Sequence, residues 1–134
     1  SDHKLTVDLA TRLTSRDFMD GRALVLARVA GVRAARRTGD LLDMSASVGS
    51  GPIELGCHSS WGHSGAVLLW QAHVSSAQGE FFPAASLLAA VTAGVAIFDM
   101  LGAQEPGVDV VIDAAMVREE RWLIGDEDEV TLAR

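Results

Sequence analysis

At 134 residues the chain is long enough for one domain that buries about two-thirds of its unfolded surface, and its 49% hydrophobic content, rich in Ala, Val and Leu, sets a core of small side chains. The net charge is −7, with acid gathered between Glu119 and Glu129, which argues against a nucleic-acid partner because phosphates would be repelled. Cys57 is the single cysteine, so an intrachain disulfide is excluded, and with no signal-peptide pattern at the start the expected setting is a reducing cytoplasm.

The opening stretch is weakly patterned, but Leu5-Thr6-Val7-Asp8-Leu9 alternates as a strand does and Thr14-Ser15-Arg16-Asp17 reads as a turn. From Asp20 to Thr38 the period becomes helical. Asp20 can cap the start, Leu24, Ala27, Val32 and Ala35 share one side, and Gly39 suits the position just past the end. Arg33, Arg36 and Arg37 fall near the last turn, where cations complement the helix dipole. A Ser- and Gly-rich loop from Ser45 to Gly51 precedes a short apolar strand from Pro52 to Cys57, and Ser59 to Gly65 reads as a turn. Ala66 to Ser76 alternates again, with Leu68, Trp70, Ala72 and Val74 on one face and Gln71, His73 and Ser75 on the other. The two strands are expected to form an antiparallel hairpin.

Pro83, a residue favoured at the first helical position, opens a long helix that runs to about Ala103. Its apolar run from Ala84 to Ile97 is short for a membrane span, and Glu80 and Asp99 crowd its ends, so a buried core helix with no membrane partner is expected. After the breaker Pro106-Gly107, Val108 to Val117 reads as a further strand. The pattern predicts an α+β domain with helices layered on a mostly antiparallel sheet, without internal repeats and spanning residues 1–134.

Two blocks carry a family resemblance: Ala27-Arg28-Val29-Ala30-Gly31-Val32-Arg33-Ala34-Ala35-Arg36-Arg37-Thr38, and Ala89-Ala90-Val91-Thr92-Ala93-Gly94-Val95-Ala96-Ile97-Phe98-Asp99-Met100-Leu101 with the Val110-Val111-Ile112 segment after it. In sequence and in order they resemble the matching helices of the cyclic pyranopterin monophosphate synthases of molybdenum-cofactor biosynthesis, the MoaC family, most strongly over residues 20–118. The resemblance implies a ferredoxin-like α+β subunit, assembled as a homo-oligomer (a hexamer built from dimers) with active sites at subunit interfaces. It implies a small-molecule substrate and no cofactor. Family members act on a cyclised guanosine triphosphate derivative and release pyrophosphate, which demands cations for the phosphates and an acid/base set for ring opening and closure.

Carried over residue by residue, most of that demand goes unmet. The family's Leu-Cys-His-Pro motif falls on Met44-Ser45-Ala46-Ser47, so Ala46 stands where the histidine would be. A lysine ahead of the first helix falls at Asp20, the Glu-Met-Glu segment falls on Pro83-Ala84-Ala85, and a lysine three residues after the aspartate falls on Gly102. The Gly-Gly-Lys-Ser-Gly loop is replaced by Glu120-Arg121-Trp122-Leu123-Ile124-Gly125. Asp99 matches an acidic catalytic position, and Arg28, Arg36 and Arg37 match basic ones. Removing one charge-assisted hydrogen bond costs about 2–4 kcal/mol of transition-state stabilisation, so removing several takes away almost all of the original rate.

The candidate catalytic residues are therefore Asp99, with His58 and His63 standing in for the motif histidine; Arg28, Arg36, Arg37, His73, Glu80 and Trp61 are candidate substrate contacts. Each also has a structural reading. Asp99 can pair with Arg28, Arg36 and Arg37 can be solvated, and Glu80 can compensate the helix dipole. Cys57 and His58, adjacent on a strand, point to opposite faces, so no metal site is expected. Charged pocket positions have become Ala, Pro, Gly and Ser, with Trp61, Trp70, Phe81, Phe82 and Trp122 nearby. That direction of change favours a repurposed lyase, cyclase or isomerase acting on a less anionic small molecule in a biosynthetic pathway. A non-catalytic scaffold or regulatory paralogue is the alternative, and the original synthase the third reading.

Overall fold

Ile53, Leu55 and Cys57 in one hairpin strand and Leu68, Trp70, Ala72 and Val74 in the other are apolar and buried at every second position, and this alternation decides which side of the sheet the helices cover. The computed structural model describes residues 4–13, 21–42, 49–62, 65–102, 115–119 and 129–132. In chain order they form β1 (Lys4–Leu13), α1 (Gly21–Arg36), α2 (Thr38–Leu41), β2 (Ile53–Gly62), β3 (Gly65–Val74), α3 (Pro83–Gly102), β4 (Ala115–Glu119) and β5 (Glu129–Leu132). The strands make one antiparallel sheet in the order β4-β1-β3-β2-β5. The α+β class read from the sequence is the one observed. Because β3 lies between β1 and β2, α1 crosses over a strand that arrives later in the chain, and α3 likewise connects β3 to β4 across β1.

Val7 and Leu9 of β1, Ile53, Leu55 and Cys57 of β2, and Leu68, Trp70, Ala72 and Val74 of β3 share the face that meets the helices. Against them lie Leu24, Ala27 and Ala35 of α1 and Ala85, Ala89, Ala90, Ala93 and Ile97 of α3. Alanine is abundant here because the helices pack tightly on each other. A Cβ at Gly31 would stand 2.6 Å from both the Ala89 carbonyl oxygen and Leu55 Cδ2. A Cβ at Gly94 would stand 2.9 Å from Thr11 Oγ1, so α3 also approaches β1 closely, though less so than α1 approaches α3. The small residues of the two resemblance blocks are thus the contact surface of this helical layer. The start of α3 is fastened to the end of β3 by Ser86, whose Oγ accepts from Val74 N at 2.9 Å and donates to the Phe82 carbonyl at 2.8 Å.

The structure departs from the sequence reading in three places. Gly39 does not end the first helix. The chain pauses at Arg37, whose N–H reaches both Arg33 O and Ala34 O, and turns helical again because buried Thr38 anchors the next turn through a 3.0 Å bond from Oγ1 to Ala34 O. The segment from Ser59 to Gly62 is strand rather than turn. Its ladder with Leu68, Val67, Ala66 and Gly65 outweighs the turn preference of Ser and Gly. Finally, α3 has the length expected, but its apolar stretch is not too short for a membrane span: the window Pro83–Met100, with mean hydropathy 1.6, is long and apolar enough to cross a membrane by length and composition. Here its inner side lies in the core against β1 and β3. The expected cap at Asp20, the turn from Thr14 to Asp17, and the expected strand from Val108 as far as Ala114 fall outside the described residues.

Candidate functional site

Strand alternation sends the remaining side chains to the sheet face opposite α1 and α3, and there the residue types change. From β1 this face receives Thr6, Asp8, Ala10 and the exposed Arg12, from β3 Val67, Leu69, Gln71 and His73, and from β2 Glu54, Gly56, His58 and Ser60. In register, Asp8 lies across from Gln71, Gln71 across from Gly56, and His73 across from Glu54. Thr6 is fully buried and Gln71 is 3% exposed, which for polar side chains calls for hydrogen-bond partners. Asp8 supplies them: its Oδ1 accepts from Thr6 Oγ1 at 2.7 Å, and its two oxygens accept from Gln71 Nε2 at 3.3 and 3.4 Å. The last two are long and weak, and both Gln71 bonds fall on the same side-chain nitrogen.

His73 is the best-oriented titratable group on this face. Its Nδ1 lies 2.6 Å from the Leu5 carbonyl oxygen, and its ring stacks on Phe81 with centroids 5.2 Å apart and planes 21° from parallel. A carbonyl only accepts, so Nδ1 carries the proton and, in the neutral ring, Nε2 is the basic nitrogen. The stack is set up by the loop after β3. Ser76 N–H donates to Glu80 O at 2.8 Å, Glu80 N–H donates to Ser76 Oγ at 3.0 Å, and Ser75 bridges Phe81. This closed loop brings Phe81 back beside His73 and sends Phe82 into the core.

Of the residues singled out in the sequence, His73 and His58 lie on this face. Glu80 is exposed and acts in the loop through its backbone. Trp61 pairs with Ala66 in the ladder, while its side chain, like His63 and Trp122, is outside the described residues. The others are in the helical layer. Asp99 is on α3, exposed, and makes no ion pair among the described residues, so the expected Arg28–Asp99 pair is not formed. Arg28 is half-buried on α1, and desolvation lowers its pKa from the ordinary arginine value. Arg36 donates from Nη1 to the Gly49 carbonyl at 2.9 Å, tying the loop before β2 to the helix. Arg37 is exposed where α1 passes into α2. Trp70 and Phe82 fill the core rather than line a pocket, because their positions face the helices.

Cys57 and His58 do sit on opposite faces. Burial in the core pushes the Cys57 thiol far above the usual range, which leaves it protonated and unreactive at neutral pH. Among the described residues no three His, Cys, Asp or Glu side chains are grouped to hold a metal ion. Asp8, Gln71, Thr6 and Glu54 escaped the sequence reading. The usable signal was Asp8, a charge at the polar position of an alternating strand, but its partner Gln71 lies 63 residues away. No protein-family model matches the chain, and no curated protein matches it either.

Proposed function

We propose that the chain is a MoaC-like enzyme of the lyase, cyclase or isomerase type, which moves protons on a small molecule held at the sheet face opposite α1 and α3, with His73 as the base. The observation that carries this reading is the setting of His73: tautomer fixed by the Leu5 carbonyl, ring orientation fixed by Phe81, and the part-buried Thr6, Asp8 and Gln71 array beside it. The strand order β4-β1-β3-β2 with both helices on one side supports the ferredoxin-like subunit that the resemblance implies. The substrate is not a polyphosphate on this reading. Asp8 and Glu54 place two carboxylates on the face against the one described guanidinium of Arg12, whereas Arg28, Arg36 and Arg37 stay in the helical layer.

A homo-oligomer belongs to the proposal. Val25, Leu26 and Val29 of α1 and Leu87, Val95 and Phe98 of α3 are exposed apolar residues on the outer side of the helical layer, a distribution that supports association. Within one subunit the sheet separates Asp99 from His58 and His73, so a part for Asp99 in the same reaction requires a second copy. That separation also favours the alternative, a non-catalytic scaffold or regulatory paralogue. The two are told apart by incubating the purified protein with a small-molecule metabolite extract in deuterated water and following it by mass spectrometry. The enzyme reading expects a species converted or deuterated by the wild type at a rate that falls roughly 10²–10⁴-fold in His73→Gln. Conversion at an unchanged rate in that variant would sink His73 as the base, and no conversion of any species would favour the scaffold. Turnover of the cyclised nucleotide would bring back the original synthase.

A further inference from the structure

Residues 21–42 carry five arginines (Arg22, Arg28, Arg33, Arg36 and Arg37) in a chain whose net charge is −7. Asp40 is the one acid among them, and the segment stays positive even when its sequence neighbours Asp20 and Asp43 are counted. α1 itself has no acid in its 16 residues, and α3 has only Asp99. On the outer side of α1, Arg22, Val25, Leu26, Val29, Arg33 and Arg36 are all exposed and recur at helical spacing, so they form one stripe. Its middle is apolar, with Val25, Leu26 and Val29 between 40% and 52% exposed, and arginines flank it at both ends. Leu41 and Leu42, just beyond, are 65% and 50% exposed. Arg33 and Arg36 complement the negative end of the helix dipole, but Arg22 in the first turn opposes the positive end. Helix stability therefore does not account for the whole pattern. Arg36 also ties the Gly49 loop, whereas Arg33 and Arg37 make no ion pair among the described residues.

We infer that the α1–α2 side of the helical layer rests on an anionic lipid surface, with α1 lying in the plane of the interface. Exposed apolar residues alone do not choose an occupant; here the charge does, since a positive segment of an acidic chain calls for an anionic partner. The stripe runs along the convex side of one helix. A protein partner would need a matching concavity there, whereas lipids flow around such a shape. At the boundary of head groups and acyl chains Val25, Leu26, Val29, Leu41 and Leu42 enter the apolar layer, and the arginines at either end extend their guanidinium groups to the phosphates. A second copy suits this side less well, because symmetric pairing through α1 sets Arg22, Arg33 and Arg36 near their own counterparts. The proposed homo-oligomer is left the α3 side, where Leu87, Val95 and Phe98 are exposed and the helix has no basic residue. Asp8 and Glu54, on the opposite sheet face, lie a helix diameter or more from the stripe, beyond the screening length of about 10 Å at about 0.1 M salt. No catalytic step is involved, so the proton-transfer reading stands or falls separately.

The test is co-sedimentation of the full chain with vesicles of phosphatidylcholine, alone or with about one-third phosphatidylserine, at low and high salt. Expected is binding to the anionic vesicles roughly tenfold or more above the neutral ones, weakened by salt. A basic side chain at such a surface contributes about fivefold, so Arg33→Gln combined with Arg37→Gln should weaken binding roughly 25-fold. If the double variant does not fold by circular dichroism, Arg33→Gln alone takes its place with about a fivefold loss. Leu26→Gln should weaken binding as well, whereas Leu87→Gln on α3 should leave it unchanged. Equal binding to both vesicle types, no binding to either, or undiminished binding in the arginine variants would each overturn the inference. Loss of binding in Leu87→Gln with Leu26→Gln unaffected would overturn it too, by moving the contact to α3. Arginine variants that change the mass of the protein in sedimentation velocity without vesicles would show a second copy on α1, and the lipid assignment would fall.

Discussion

Gly31 is the position where the helical layer is most sensitive to a single added carbon. Alanine is the better helix former by about 1 kcal/mol, so an exposed Gly31→Ala would stabilise α1. Here the new Cβ would lie 2.6 Å from the Ala89 carbonyl oxygen, 2.6 Å from Leu55 Cδ2 and 3.3 Å from Ala93 Cβ. Comfortable separation between such atoms begins near about 3.5 Å, so the overlap is roughly 1 Å at two of the three. Leu55 can rotate away, but the Ala89 carbonyl is helix backbone and moves only if α1 lifts from α3. Overpacking of this kind costs about 1–3 kcal/mol, and with a backbone obstacle the upper half of that range applies. Net of propensity, Gly31→Ala should destabilise the fold by about 1–2 kcal/mol, which for a chain of this length lowers the melting temperature by roughly 4–7 °C. Thermal melts and urea titrations followed by circular dichroism measure this, with Gly21→Ala as the control because nothing lies within 4 Å of a Cβ there. A Gly31→Ala protein as stable as the wild type would refute the close approach. It would also remove the packing explanation of the Ala-Gly-Val-Arg-Ala-Ala block.

Two further substitutions report on the core. Ser86→Ala leaves the buried Val74 N–H without its acceptor and should cost about 1–3 kcal/mol in urea titrations, whereas a cost below roughly 0.5 kcal/mol, the floor for such a bond, would mean that Ser86 is not what fastens α3 to β3. For Cys57, the folded thiol titrates well above the unfolded value of about 8.5. The stabilisation from burying the neutral thiol is therefore intact below about pH 8.5 and declines as pH rises, by about 2 kcal/mol at pH 10. Relative to Cys57→Ala, the wild type should lose that extra stability between those pH values, and parallel profiles of the two proteins would contradict the burial argument.

What the sequence made legible was whatever a local period encodes. The alternation of Leu68, Trp70, Ala72 and Val74 marks the buried face of β3 correctly because nearest neighbours along one strand decide it. Pro83 marks the start of α3 for the same kind of reason, a preference of a single position. The extension of β2 through Ser59 and Ser60 was hidden, since those residues favour turns and are held extended by partners on β3. Gly39 misled similarly, because the stop it predicts is overruled by buried Thr38. The site was the least legible part. Thr6, Asp8, Gln71 and His73 meet only through the pairing of β1 with β3, and that register is set by packing distant in sequence.

The arrangement of charge says more about function than any single candidate residue. In this chain the arginines that the resemblance assigns to phosphates serve the helical layer: Arg36 ties a loop, and Arg28 is desolvated against the core edge. The sheet face opposite α1 and α3 carries two carboxylates, a carboxamide, two imidazoles and the Arg12 guanidinium among the described residues. Two carboxylates against one described guanidinium give these side chains a mildly negative balance, which disfavours polyphosphates at low ionic strength. Proton transfer suits the same site, since His73 holds its basic nitrogen in a fixed orientation and Glu54 lies across the ladder from it. If the reaction proceeds at this face, substituting Arg36 or Arg37 should change stability or assembly more than turnover, and substituting His73 should do the reverse. The helical layer and the sheet face are separate devices, and the comparison of those variants tells which of them the chemistry uses.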